Sequence, residues 1–327
     1  MLTISQSPHI HSGLRTDRIM WSVVLALLPA LGVAVWTFGW PALRVVLICL
    51  VSCLATEWVA DRMLGRKQTL TDGSAVITAL LLAFNLPSIL PWWMAVIGSI
   101  VAIGIGKMSF GGLGSNIWNP ALVGRVFLLL SFPAAMTTWP VDVTSGADGV
   151  TGATLLTHMK YEAVDSSAVD YLGMAVGEMN GSLGEVGAIA IVIGALYLLI
   201  RRVISWHIPV SVLGSAALFS WLFGGNPAID LLSGGLMLGA CFMATDYVTS
   251  PMTRSGQLIY GFMIGLITII IRRYGAYPEG VSFAILLMNS VTPLLNRYCR
   301  PRIFGAAERR EMERMKAKKE IGKEGAV

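Results

Sequence analysis

The chain has 327 residues, 55% of them hydrophobic and 13% charged, with a net charge of +5 and a mean hydropathy of +0.68. Soluble domains carry about 25% charged residues, so this chain holds half the charge needed to dress a water-facing surface. Ten of its 24 Lys and Arg lie between Arg297 and Lys323. The positive charge therefore belongs to a tail, and a soluble enzyme, a nucleic-acid binder and a secreted disulfide scaffold are all excluded.

Residues 1–18 read as a mostly polar N-terminus. His9 and His11 have no further ligands nearby, so they do not make a metal site. The first apolar run, 19–38, is longer than the core of a cleavable leader, and none is expected. Four more runs follow at 41–60, 73–90, 92–107 and 117–135, each of 16 to 20 residues. A helix needs roughly 20 to cross a bilayer. Cys49 and Cys53 share a helix face in the second run and read as small buried hydrophobes rather than cluster ligands. Arg44 and Glu57 sit toward opposite ends of that run, where snorkelling accounts for both. Asp72 precedes the third run, Asn85-Leu86-Pro87 interrupts it, and Arg125 follows Asn119-Pro120.

The connection 136–183 holds 48 residues and carries Asp142, Asp148, Glu162, Asp165, Asp170 and Glu178 against Lys160 alone. Five further runs complete the chain at 184–200, 207–224, 229–247, 256–271 and 279–296, with Asp246 at the end of the third of these. The tail 297–327 mixes both signs and reads as a solvated helix at the lipid headgroups. Trp36, Trp40, Trp92, Trp93 and Trp139 fall at predicted span edges, as an aromatic belt would.

Ten runs predict an all-α polytopic membrane protein with ten transmembrane helices. With the N-terminus in the cytoplasm, 19 Lys and Arg fall inside and three outside, the three being Lys160, Arg272 and Arg273. That bias places both termini inside and 136–183 outside. Five runs precede the long loop and five follow it, with shared punctuation such as Asp72-Gly-Ser-Ala and Asp230-Leu-Leu-Ser-Gly-Gly. An odd number of spans per half inverts one half against the other. This predicts two inverted five-helix repeats, at 19–135 and 184–296. Charges at broken helices in such folds mark the central site, so Asp72, Arg125 and Asp246 are candidates for an ion path or a buried flavin.

The outward loop contains Asp148-Gly-Val-Thr151-Gly152-Ala153-Thr154. Two minimal side chains before a hydroxyl let another protein approach closely and leave an oxygen open to esterification. By itself this is a loop turn leading into a short helix. In context, Asp-x-x-Thr-Gly-Ala-Thr resembles the flavinylation signal of the Rnf and Nqr electron-transport complexes. Much of the remaining chain is similar to the D-subunit family of Rnf. The similarity is carried by Ser7-Pro-His9, by Leu27-Leu-Pro-Ala30 and by the stretch from Thr71 to Pro87. It continues through Phe110 to Arg125, Phe242 to Pro251 and Ile271 to Gly280.

The resemblance implies that a flavin transferase working outside the membrane joins FMN to Thr154 by a phosphodiester bond. Asp148, Thr151, Gly152 and Ala153 would complete the recognition motif. It also implies an Rnf-type complex whose A, B, C, E and G components are the partners. That complex couples electron exchange between ferredoxin and NAD to Na⁺ or H⁺ pumping in a bacterial or archaeal inner membrane. The resemblance admits a second, non-covalent flavin, riboflavin in the sister complex. The short N-terminus favours the Rnf branch over the NqrB-like quinone-reductase subunit, whose N-terminus is longer. The alternatives are that sister subunit, an inverted-repeat solute transporter or channel, and a structural subunit without cofactor.

Overall fold

The computed structural model describes residues 15–66, 68–140, 151–152, 156, 171–177, 181–275, 277 and 279–300. Helix α1, Thr16–Phe38, and helix α2, Trp40–Met63, meet at Gly39, whose φ of 63° turns the chain sharply. Pro41 sits in the first turn of α2, where its missing N–H costs nothing. A short turn, Leu70–Asp72, leads through Gly73 (φ 76°) into α3, Ser74–Phe84.

At 11 residues, α3 is only about 16 Å long, half of a ~30 Å bilayer core. It is nonetheless the most enclosed helix of the first half, with Thr78 to Phe84 all buried. Helix α4, Trp92–Ile100, runs on through a wider π turn at Val101–Ile105. Asn119 then caps α5, Pro120–Ser131, by accepting from the Ala121 N–H at 3.1 Å. Helix α6, Pro133–Thr137, follows. Next comes strand β1, Trp139–Pro140, which pairs antiparallel with β2, Thr151–Gly152. The short α7, Tyr171–Val176, precedes the second half.

There α8 is Ala188–Ile200 and α9 is His207–Leu222. Helix α10, Pro227–Leu232, ends at Ser233. Gly234 and Gly235, with φ of 69° and 64°, restart the chain as α11, Leu236–Leu238, which runs into a π turn at Gly239–Met243. Helices α12, Arg254–Tyr274, and α13, Val281–Tyr298, close the bundle.

The helices approach through small residues, as expected where lipid is no less apolar than the side chains. Gly261 and Gly265 of α12 lie against α9. A Cβ on Gly265 would strike the Ser215 hydroxyl and come within 2.7 Å of the Val212 carbonyl. The Ser211 hydroxyl donates across this seam to the Leu258 carbonyl at 2.6 Å. Gly194 of α8 presses in the same way on the Ala26 carbonyl of α1.

This is a membrane protein, and it is helical throughout apart from one two-residue strand pair among the described residues. The ten apolar runs all carry helix among the described residues, and the interruption expected at Asn85-Leu86-Pro87 is present. Four stretches are long and apolar enough to cross a bilayer: Thr16–Phe38, Trp40–Met63, Trp92–Phe110 and Arg254–Tyr274. Four others are apolar but only 11 to 16 residues long. The physical reason is local. The run 73–90 stops at Asn85-Leu86-Pro87, and the run 229–247 breaks at Ser233-Gly234-Gly235.

Candidate functional site

Broken helices leave carbonyls without intrahelical partners, and here those groups are met from the other half of the chain. The Phe84 carbonyl at the end of α3 accepts from the Gly184 N–H at 2.7 Å, and Leu86 accepts from Leu183 at 3.3 Å. The Met243 carbonyl at the end of the 239–243 turn accepts from the Asn119 side chain at 3.2 Å. Asn85 donates to the Leu81 carbonyl and reaches the Met243 sulfur at 3.7 Å. Phe84 and Leu238 would each come within 2.8 Å of a Cβ on Gly184, so residue 184 has to be glycine. The two broken segments thus share Gly184 and the Asn85–Met243 contact.

Buried charge gathers at the outer end of each. Where α3 begins, Lys107 is 3% exposed, and its ammonium donates to Glu57 Oε1 and to the Ser74 hydroxyl, both at 2.7 Å. Glu57 is fully buried, and its second oxygen, Oε2, has no partner among the described residues. Thr69 bridges Glu57 and the buried Asp61, with Oγ1 at 2.7 Å from Glu57 and 3.1 Å from Asp61. Snorkelling therefore does not describe Glu57: it turns inward to Lys107, while Arg44 is exposed as expected. Asp72 lies beside this cluster, half-buried. Burial pushes its carboxyl above the ordinary aspartate value; Lys107 opposes that, and Glu57, Asp17 and Asp61 add to it.

The second cluster lies where α11 begins, about 27 Å along α12 from Arg254. Arg272, counted from the sequence as a loop residue, is in the last turn of α12 and buried. Its guanidinium donates to the Asp230 and Ser233 carbonyls at 2.5 and 2.9 Å and pairs with the Asp230 carboxylate at 3.5 Å. Arg273 pairs with the same carboxylate at 3.0 Å. Glu185, 3% exposed, has one oxygen without a partner among the described residues.

Arg125 projects from α5, donates to Asn85 Oδ1 at 2.5 Å and pairs with Glu279. Asp246 lines a cavity that is partly open to solvent. Thr78, Lys107, Asn116, Asn119 and Thr245 line the same cavity. The three residues singled out from the sequence are therefore not one site. Asp72 sits by the Lys107 cluster, Asp246 lines the cavity, and Arg125 joins Asn85 to Glu279.

Asp148, Ala153 and Thr154 lie outside the described residues. Either side of them the chain is held. Gly152 pairs with Trp139 and Thr151 with Pro140, and Leu156 is buried, its Cδ1 only 2.5 Å from where a Cβ on Gly234 would stand. Trp139 is accordingly 4% exposed, a packed partner of the motif strand and not a member of the aromatic belt; Trp36, Trp40, Trp92 and Trp93 are exposed. Lys107, Glu185, Arg272 and Glu279 were the residues that sequence reasoning missed. Each falls at the edge of an apolar run, and weighing such residues for sidedness alone hides their pairing.

Residues 3–305 match the NQR2, RnfD, RnfE family. The chain is 49% identical over 310 residues to the D subunit of the Na⁺-translocating ferredoxin:NAD⁺ oxidoreductase complex of Acetobacterium woodii, covering 94% of this chain and 96% of the relative. It is 44% identical to the D subunit of the proton-translocating ferredoxin:NAD⁺ oxidoreductase complex of Clostridium ljungdahlii, covering 93% and 96%. The D subunit of the ion-translocating oxidoreductase complex of Stutzerimonas stutzeri is 42% identical, with 88% and 92% covered.

Proposed function

The chain belongs to the NQR2, RnfD, RnfE family, and from that membership we propose that it is the flavin-carrying D subunit of an ion-translocating ferredoxin:NAD oxidoreductase complex. The observation that carries the reading is the similarity to D subunits along more than nine-tenths of the chain. A likeness of that extent to proteins so named favours the Rnf-type reading over a solute transporter, an NqrB-like subunit or a cofactor-free scaffold. The relatives include one sodium and one proton translocator, and either cation fits this chain.

We assign Thr154 as the acceptor of covalent FMN. What supports the reading is the motif itself, whose Thr151 and Gly152 pair with Pro140 and Trp139 and which is followed two residues on by Leu156, packed at Gly234. Asp148, Thr151, Gly152 and Ala153 would present Thr154 to a flavin transferase. Bound there, a flavin supplies one- and two-electron chemistry. The chain's part is to hold the tether, to bring it to partner subunits on the outer face, and to set the local field through Arg272, Asp230 and Glu185. Because a bilayer core of ~30 Å is too wide for one step, a second relay is needed deeper in the protein. A cavity lined by apolar side chains, with Asp246, Asn116 and Asn119 among the few polar groups, lies within the helices. We assign it to a non-covalent flavin of the riboflavin type.

The two halves are read as inverted repeats. Each places a buried cation from its fourth helix (Lys107, Arg272) at the start of its short third helix, beside a carboxylate (Glu57, Asp230) from or just after its second. The charge bias puts the Lys107 end inside, with the termini, and the Arg272 end outside, under the 136–183 loop. The A, B, C, E and G components of the same complex are the expected partners.

The test is flavin fluorescence on a denaturing gel. The 35.1 kDa band should fluoresce after co-expression with the transferase, and Thr154→Ala should be dark. A dark wild-type band would sink the flavoprotein assignment. Liposomes holding the isolated protein should show no solute flux.

A further inference from the structure

One loop of the second half carries charge that the fold leaves unpaired among the described residues. Between α8 and α9, residues 201–206 read Arg-Arg-Val-Ile-Ser-Trp. Arg202 stands at φ 55°, the one positive value among the described residues other than glycine. That region crowds an L side chain against its own backbone, and glycine would occupy it without strain. An arginine kept there points to a use for its side chain. Neither Arg201 nor Arg202 forms an ion pair among the described residues. Arg201 donates to the Ser22 hydroxyl at 3.5 Å, and its guanidinium lies over the Tyr197 ring, 5.9 Å from the centroid. Ser22 belongs to the first turns of α1, so the arginine pair lies at the end of the protein where the chain enters its first helix.

A cleft opens beside them. Arg202 lines it together with Ser205, Tyr247, Ser250 and Gln257. Hydrogen bonds fix its walls: the Ser205 hydroxyl donates to Gln257 Oε1 at 2.8 Å, Gln257 Nε2 donates to the Pro251 carbonyl at 3.1 Å, and the Tyr247 hydroxyl donates to the Val203 carbonyl. Next to the arginines the surface turns apolar. Ile189, Ile193, Leu196 and Ile200 are exposed along α8 at the i, i+4, i+7, i+11 spacing of a single stripe. Trp206, 55% exposed and stacked on His207 at 4.2 Å, closes the loop. Exposed tryptophans of this kind mark the depth of the lipid headgroups.

We propose that this cleft holds the headgroup of one acidic phospholipid, with its phosphate on Arg202 and Arg201 and its acyl chains along the α8 stripe. A guanidinium grips phosphate oxygens through parallel N–H bonds, and basic pockets between membrane helices take anionic lipid. The hydroxyl oxygens of Ser205, Ser250 and Tyr247 can accept from a polyol headgroup such as glycerol. A choline or ethanolamine headgroup would instead set its own ammonium against two guanidiniums. The cleft shares Val203, Ile204, Thr245 and Tyr247 with the larger cavity, so the lipid braces a wall of that cavity. The assignment is independent of which cofactor the chain carries.

Photo-crosslinking tests it. The complex is reconstituted in phosphatidylcholine nanodiscs that carry a trace of either phosphatidylglycerol or phosphatidylcholine with a photoactivatable acyl chain. After illumination, cross-links to 189–206 are measured by mass spectrometry against those to 218–222, where Leu218, Trp221 and Leu222 are exposed toward the other end of α9. The glycerol-to-choline ratio should be at least several-fold higher at 189–206. Arg202→Gly removes the charge and the backbone strain together, so the variant should fold at least as well as wild type. It should nonetheless bring the ratio down to that of 218–222, and Arg201→Gln should lower it part of the way. Inorganic phosphate, added at constant ionic strength, should leave the ratio unchanged. Equal ratios at the two stretches in wild type overturn the proposal, and that comparison needs no variant. So does an undiminished preference in Arg202→Gly. Collapse of the preference in phosphate would make the cleft a site for the free ion. No cross-link at 189–206 from either lipid would mean that a partner protein covers it. Both of those outcomes refute the lipid.

Discussion

Removing Arg125 isolates what the centre of the protein depends on. Its guanidinium, 4% exposed, donates to Asn85 where α3 ends and pairs with Glu279 ahead of α13, so one side chain ties three parts of the chain together. Arg125→Met keeps the stem and deletes the charge. Glu279 is then a carboxylate at 9% exposure without its cation, and its Oε1 already lacks a partner among the described residues. Breaking a buried pair by removing one partner costs about 3–5 kcal/mol. At 1.4 kcal/mol per decade that is a roughly hundred- to several-thousand-fold shift toward unfolding. Glu279→Gln alone should cost less, since Glu185 lies close enough to act on Arg125. The double variant Arg125→Met/Glu279→Gln should recover about 2 kcal/mol relative to the sum of the singles, because it strands neither charge. The assay is equilibrium unfolding in mixed micelles followed by tryptophan fluorescence, with the four proteins compared as a cycle. A loss under about 1 kcal/mol for Arg125→Met, or strict additivity in the double variant, would refute a desolvated pair at this position.

The glycines give paired tests. Gly265→Ala, which meets Ser215 and the Val212 carbonyl, should lower thermal stability, whereas Gly214→Ala on the facing helix has nothing within 4 Å and should raise it by about 0.5–1 kcal/mol; equal effects in differential scanning would refute the seam. Gly234→Ala combines φ of 69° with Leu156 and Arg272 atoms at 2.5 Å. It should therefore cost clearly more than Gly224→Ala, which has a similar φ in open space and only the ~1–2 kcal/mol of left-handed strain. The two midpoints should separate in the same scan. Asp72→Asn tests the raised carboxyl. A group whose folded value lies above its unfolded value is stabilising at low pH and loses that stability as pH rises through the aspartate range. The variant should therefore gain on wild type from pH 4 to pH 7, and a constant difference would remove the shift.

The sequence displays the fold's material more clearly than its breaks. Apolar runs announce helices because 3.6-residue periodicity is unnecessary when every face meets lipid or protein. The same property leaves only Gly, Asn and Pro to mark where a run stops, without showing what meets the broken end. Nothing in Ser74–Phe84 differs in composition from a full span, and its end is set by Asn85-Leu86-Pro87 finding partners at Gly184 and Met243, more than 95 residues away. Arg125 and Asp246 could be marked as odd charges in apolar surroundings, but not Lys107 or Arg272. At the end of a run a basic residue reads as a topology signal. Only the fold shows that Glu57 lies 50 positions back with its carboxylate turned inward. Trp139 is a similar case: a span-edge tryptophan until β2 is seen beside it.

That hidden pairing bears on the proposal that Thr154 carries a flavin covalently. The described anchors of the motif are a two-residue strand pair and one buried leucine. They flank Thr154 in sequence, at Gly152 and Leu156. A flavin that binds without a covalent bond loses several kcal/mol of translational and rotational freedom on binding. On our proposal, a bond to Thr154 would remove that cost and leave the chain the task of aiming the flavin. Leu156 supplies the aim, since it ties the segment to Gly234, the turn whose neighbouring carbonyls hold Arg272. If so, Leu156→Ala should leave the covalent band at full brightness while slowing electron exchange with the partner subunits. An equally dim band and rate would mean that Leu156 serves the transferase and not the relay.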